Sequence, residues 1–140
     1  MFANLVLLLS RCLLAPIMLV YGWDKLLNID EFINNPATKR FMEAFANGSI
    51  APLWFAYANA LMQFGLGLAV LLGLKTRFSA ALLALWMIPV SYFGHPFWAG
   101  INPVYNEENF YKNLGIIAAY LMISCYGGGK YSVDAIRFGK

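Results

Sequence analysis

Hydrophobic and polar positions alternate along this chain in blocks rather than residue by residue. Four apolar runs, at about 2–27, 50–74, 78–98 and 110–127, are separated by short polar stretches. A helix rises about 1.5 Å per residue, so roughly 20 apolar residues cross the hydrocarbon of a bilayer. These runs are apolar on all sides, whereas helices of a soluble domain show stripes with charged outer faces. The pattern therefore predicts an all-α, integral membrane four-helix bundle forming a single domain over residues 1–140.

The first run carries an arginine. Arg11, Ala15, Met18, Gly22 and Lys25 fall on one helical stripe, and this stripe is predicted to face the other helices. An arginine near the middle of a span costs about 2.5–3.5 kcal/mol unless it finds water or a partner. The second run contains Asn59 and Gln63, one turn apart, together with Gly65, Ala69 and Gly73, small residues that let a neighbouring backbone approach. Arg11 and Gln63 are expected to meet in a buried hydrogen bond, because a long guanidinium can reach along the bundle. In the third run Ala84, Ile88, Ser91 and His95 are expected to share a face, and Pro16 and Pro89 are expected to bend their helices.

The polar stretches predict shorter elements. Asn34-Asn35-Pro36 reads as a turn, Thr38 as the cap of a short interfacial helix, and Asn47-Gly48 as its end. Phe41, Met42 and Phe45 form its apolar edge, opposite Lys39, Arg40 and Glu43. Lys112 and Asn113 shorten the apolar part of the fourth run, so they must face protein or water near a helix end. Gly127-Gly128-Gly129 stops that run, and Ser132 caps a last short helix with Val133, Ile136 and Phe138 on its apolar side.

Composition sharpens the membrane reading. Hydrophobic residues make up 61% of the 140 residues and charged residues 12%, about half the share usual in soluble domains. A net charge of +3 without a basic run gives no nucleic-acid surface. Cys12 and Cys125 stand alone in apolar runs and read as small reduced core residues. The uncharged, short stretch before the first run does not resemble a cleavable signal, so that helix is expected to remain in the mature protein. Lys75, Arg77, Lys130, Arg137 and Lys140 belong to one side of a four-span chain, while Lys25, Lys39, Arg40 and Lys112 mix with acids on the other. That asymmetry predicts cytoplasmic termini.

Candidate chemistry falls in two layers: Arg11 with Asn59 and Gln63, and an outer group of Asp24, Lys25, His95, Glu107, Glu108, Lys112 and Asn113. The outer group admits proton exchange with a small redox ligand such as a quinone headgroup, or helix capping with His95 paired to Asp24. One histidine without closely spaced sulfur or carboxylate donors gives too few ligands for a metal. No nucleophile elbow, phosphate loop or dinucleotide fingerprint is present.

Several pieces together resemble the DoxX family of small bacterial and archaeal membrane proteins. They are Arg11 with Tyr21-Gly22-Trp23-Asp24-Lys25-Leu26, Gln63-Phe64-Gly65-Leu66-Gly67 with Gly73-Leu74-Lys75-Thr76-Arg77, His95-Pro96-Phe97-Trp98, Lys112-Asn113-Leu114, and the run from Gly127 to Asp134. The resemblance implies a four-helix inner-membrane bundle related to a subunit of a quinone-linked oxidoreductase acting on thiosulfate, other members being associated with oxidative or sulfur stress. It implies an accessory or anchor subunit, not catalytic alone, with partner subunits in or on the membrane, quinone or lipid contact and no covalently bound cofactor. Position 63 is Gln where many relatives carry Glu, and a neutral amide cannot relay a proton. Paired cysteines of the vitamin K epoxide reductase kind are missing, which disfavours thiol redox chemistry. Two other readings remain at this stage: a self-contained transporter or binding bundle lined by Arg11, Asn59 and Gln63, and a structural assembly factor.

Overall fold

The computed structural model describes residues 1–48 and 51–138, and all regular structure within them is helical. The order is α1 (Phe2–Leu27), α2 (Ile29–Asn34), α3 (Pro36–Ala46), α4 (Leu53–Leu72), α5 (Thr76–Gly94), a 3-10 turn (Phe97–Ala99), α6 (Pro103–Tyr126) and α7 (Val133–Phe138). Ile50, the expected start of the second apolar run, and Lys140 lie outside the described residues, as does the side chain of Phe138.

Among the described residues three segments are long and apolar enough to cross a membrane: Phe2–Leu27, Leu53–Leu72 and Thr76–Ala99. The fourth long helix, α6, has 24 residues but begins at Pro103, seven positions before the expected start at 110. Pro103 occupies the first turn, where its missing N–H removes no helical bond. The helix therefore takes in Glu107 and Glu108, and its apolar portion is diluted. Pro16 and Pro89 both lie within continuous helices.

Packing follows from side-chain size along the seams. α1 lies chiefly against α4, α5 lies chiefly against α6, and α4 with α5 joins the pairs. The buried residues of α1 are Arg11, Ala15, Met18 and Gly22, the stripe that periodicity predicts. A Cβ on Gly22 would stand 2.8 Å from the Phe64 nitrogen, and one on Gly67 would stand 2.7 Å from Met18 Cβ. These two glycines let the α1 and α4 backbones touch and set their antiparallel register.

Gly65, expected on the packing face, has nothing within 4 Å of its would-be Cβ. α4 instead buries Ala56, Ala60, Gln63, Gly67 and Val70. Residue 65 is two positions from both Gln63 and Gly67, about 200° around the helix, so turning Gln63 inward turns Gly65 outward. On α5, Ala84 and Ser91 are buried as expected, but Ile88 is exposed; Leu83 and Met87 occupy the seam instead. Cys12 and Cys125 are likewise exposed on outer helix faces, which corrects their reading as core residues.

The main core gathers Met18, Val70, Leu83, Met87, Tyr120 and Ile123 from all four long helices. Tyr120 satisfies its hydroxyl by donating to the Leu14 carbonyl at 3.2 Å. A second cluster, Ile33, Met42, Ala51 and Ala56, seats α2 and α3 on the end of α4. Asn35, not Thr38, caps α3: its Oδ1 accepts from the Ala37 N–H at 2.9 Å, Pro36 takes the first helical position, and Thr38 is buried inside the helix. Asn47 ends α3 in the left-handed region with φ of 52°. Phe45 is exposed and Arg40 turns inward, donating from Nε to the Phe93 carbonyl at 2.8 Å, so the expected edge of α3 is only partly realised.

Candidate functional site

The glycine register separates the two residues expected to bond. With Gly22 beside Phe64 and Gly67 beside Met18, Lys25 comes level with Asn59 and Gln63, while Arg11 comes level with Gly73. Lys25 Nζ donates to Gln63 Oε1 at 2.8 Å and to Asn59 Oδ1 at 3.3 Å. Its ammonium also lies 4.7 Å from the ring centroids of Phe32 and Trp86. With Oε1 facing the ammonium, the Gln63 amide nitrogen points toward Met18 Sδ, 3.8 Å away.

Arg11 instead meets the C-terminal segment. Its Nη2 donates to the Tyr131 carbonyl, and Nε and Nη1 are buried without hydrogen-bond partners among the described residues. Nη1 lies over Gly73, where a Cβ would collide with it. Asp134 then ties the same segment to the start of α5: its carboxylate accepts from the Lys75 N–H at 2.7 Å and from the Thr76 N–H and hydroxyl at 2.8 Å each. Partial burial works to raise the Asp134 carboxyl, but the Thr76 and Lys75 hydrogen bonds and the nearby Arg11 charge prevail and hold it below the usual carboxylate range. The Ser132 cap forms as expected, Oγ accepting from the Ala135 N–H at 3.2 Å.

At the other end of the bundle, residues of α1 to α6 line a half-open cavity of about 880 Å³. Its polar lining includes Lys25, Asn59 and Gln63 from α1 and α4, and His95, Lys112 and Asn113 from the end of α5 and from α6. Phe32, Phe41, Phe55, Trp86 and Phe93 supply apolar walls. Six of the ten sequence candidates thus line one space; Arg11, Asp24, Glu107 and Glu108 do not. Asp24 is exposed and accepts from Asn28 Nδ2 at 2.9 Å, one turn on in sequence.

His95 pairs with Asn106 rather than Asp24, Nδ1 lying 3.3 Å from Oδ1. Asn106 Nδ2 donates to the Ile101 carbonyl, so its Oδ1 is the acceptor and His95 Nδ1 carries the proton. In a neutral imidazole with that tautomer, Nε2 is the acceptor. Lys112 Nζ donates to Asn109 Oδ1. Asn113 and Thr38 are 5% and 6% exposed, line the cavity, and have no side-chain partner among the described residues. Sequence reading missed Thr38, Trp86 and Asn106 as site residues. Asn106 had a signal, standing eleven positions past His95 in a polar loop; Trp86 had none, because one aromatic in an apolar run looks like any other.

Residues 6–96 match the family model of DoxX. The chain belongs to the DoxX family. Among curated DoxX-like relatives, inner membrane protein YphA of Escherichia coli K12 is 26% identical over 133 residues, covering 92% of this chain and 88% of the relative. Inner membrane protein YqjF of the same organism is 30% identical over 131 residues, covering 92% and 89%. No solved structure matches the chain. The family match takes in the Lys25, Asn59, Gln63 and His95 positions and stops before Lys112 and Asn113.

Proposed function

We propose that this DoxX-family chain is an accessory, anchoring subunit of an inner-membrane redox complex, not catalytic alone, whose cavity contacts a quinone headgroup. The single observation that carries the reading is the cavity itself. Its volume of about 880 Å³ falls in the range of small-molecule sites, and its apolar walls converge on a few fixed polar groups. A quinone fits the donor set: Lys25, with three N–H groups and two neutral acceptors, keeps one to offer a carbonyl, and Asn113 offers an amide. When bound, such a ligand supplies electron transfer; this chain's residues orient it and keep water from its ring.

α6 completes four membrane crossings in this reading, with both termini in the cytoplasm. The placement of Lys75 and Lys130 at one end of the bundle, with Asp134 tied to the Lys75 N–H and the Lys130 N–H to Asn4, supports that orientation through its lysines. Reporter fusions at Lys130 and in the 95–103 loop should give opposite signals.

The functional reading is tested by gentle extraction, followed by mass spectrometry and an optical spectrum of what accompanies the protein. Recovery with redox partner subunits and quinone is expected. A protein that extracts alone, with neither, overturns it.

A further inference from the structure

We infer that the cavity selects an amphiphile whose head bears a negative charge, a carboxylate or an ionised phenolic oxygen on an apolar body. This rests on the reading of the cavity as a ligand site and names the chemistry of its occupant.

Three features converge. Lys25 is a cation whose partners are all neutral: two amide oxygens and the faces of Phe32 and Trp86. Dipoles and ring quadrupoles hold an ammonium in place but do not cancel its charge, and in apolar surroundings only an opposite charge does so. Among the described residues the cavity supplies none: Lys25 and Lys112 line it, and no lining residue is Asp or Glu. Arg40, anchored on the Phe93 carbonyl beside the wall, adds a third positive group nearby. Finally, Asn113 and Thr38 are more than nine-tenths buried with unused hydrogen-bonding capacity facing this space. Unengaged amide and hydroxyl donors on the wall of a cleft that Lys25 and Lys112 also line make a receptor for an anionic head, with apolar walls for its tail.

Matched pairs of probes differing in charge and one methyl group test this in the protein held in phosphatidylcholine nanodiscs, with binding read by calorimetry. One pair is hexadecanoate against its methyl ester; the other is 2-hydroxy- against 2-methoxy-1,4-naphthoquinone, the hydroxyl form being an anion at neutral pH. The charged member of at least one pair should bind about tenfold more tightly than its neutral twin. Preference in the first pair assigns the site to an acyl carboxylate and preference in the second to an ionised quinone; either supports the shared chemistry. Lys25→Met should reduce the preference to within about twofold, and Lys25→Arg should keep it. Equal affinity within both pairs overturns the inference while leaving the cavity a ligand site, and so does a preference undiminished in folded Lys25→Met. If no probe binds, the inference and the functional reading fall together. The comparison within each pair is decisive in the unaltered protein, even if Lys25→Met does not fold.

Discussion

Lys25 and Gln63 meet across the α1–α4 seam, the ammonium donating at 2.8 Å to Oε1 of an amide that is 3% exposed. The contact exists because two glycines bring the backbones of those helices together at one register. It also orients Gln63, turning its nitrogen to Met18 Sδ. A charged hydrogen bond between helix faces thus forms part of both the packing and the cavity wall.

Removing Lys25 leaves the buried Gln63 carbonyl without its donor, and removing Gln63 leaves the ammonium with Asn59 as its remaining oxygen acceptor. Lys25→Met and Gln63→Leu should each destabilise the protein in detergent, and the double variant should lose less than the sum, with a coupling of about 1–2 kcal/mol. Thermal unfolding of the four proteins measures it. Additive losses would show that the two side chains do not interact.

Gln63→Glu places a carboxylate where the amide oxygen now faces Lys25. The ammonium then has an internal counter-ion, so the preference for anionic over neutral probes should fall at least about fivefold while the fold is kept. Titration with the probe pairs described above checks this.

The seam glycines should differ sharply from Gly65. Gly22→Ala and Gly67→Ala force contacts of 2.8 Å and 2.7 Å, so each should cost about 1–3 kcal/mol. Gly65→Ala meets open space and should be neutral or stabilising by up to about 1 kcal/mol, from helix propensity alone. Unfolding midpoints in one detergent rank the three.

Asp134 holds the C-terminal segment to α5, and its pH dependence has a definite sign. Its carboxyl is depressed in the folded protein, so its contribution is fully present above the ordinary carboxylate range and is lost as pH falls through the lower folded value. Asp134→Asn should remove about 0.5–2 kcal/mol at neutral pH and flatten the acid limb of the stability curve. Midpoints measured from neutral pH downward test both parts.

Arg11 secures the same segment from the other side. Arg11→Met removes the donor to the Tyr131 carbonyl, and Gly73→Ala pushes a methyl into Nη1 at a backbone φ of 72° that disfavours alanine. Both variants should speed tryptic cleavage after Lys130 several-fold relative to the unaltered protein. An unchanged cleavage rate would mean that the tail is held without Arg11.

The sequence by itself determined the apolar runs and the inward stripe of α1. Both follow from covalent order: a helix that leaves water must be apolar around its circumference, and the few residues that are not must share a side. The Asn47 and Ser132 termini of the short helices were legible for the same reason, since capping depends on neighbours within one turn. Capping of α3 was misplaced by three residues, because Asn35 and Thr38 are both good caps and only the seating of Thr38 against the bundle distinguishes them.

Tertiary structure decided everything that depends on register between helices. Arg11 and Gln63 lay on correctly identified faces, yet which partner each met was set by how far α1 slides along α4, and Gly22 and Gly67 govern that slide only once packed. Gly65 and Gly67 carry the same local signal; the inward turn of Gln63 selects one of them. The cavity arises likewise, where α3 and α6 close over the α1–α4 seam, a meeting of residues as distant as Lys25 and Asn113 that no local pattern encodes.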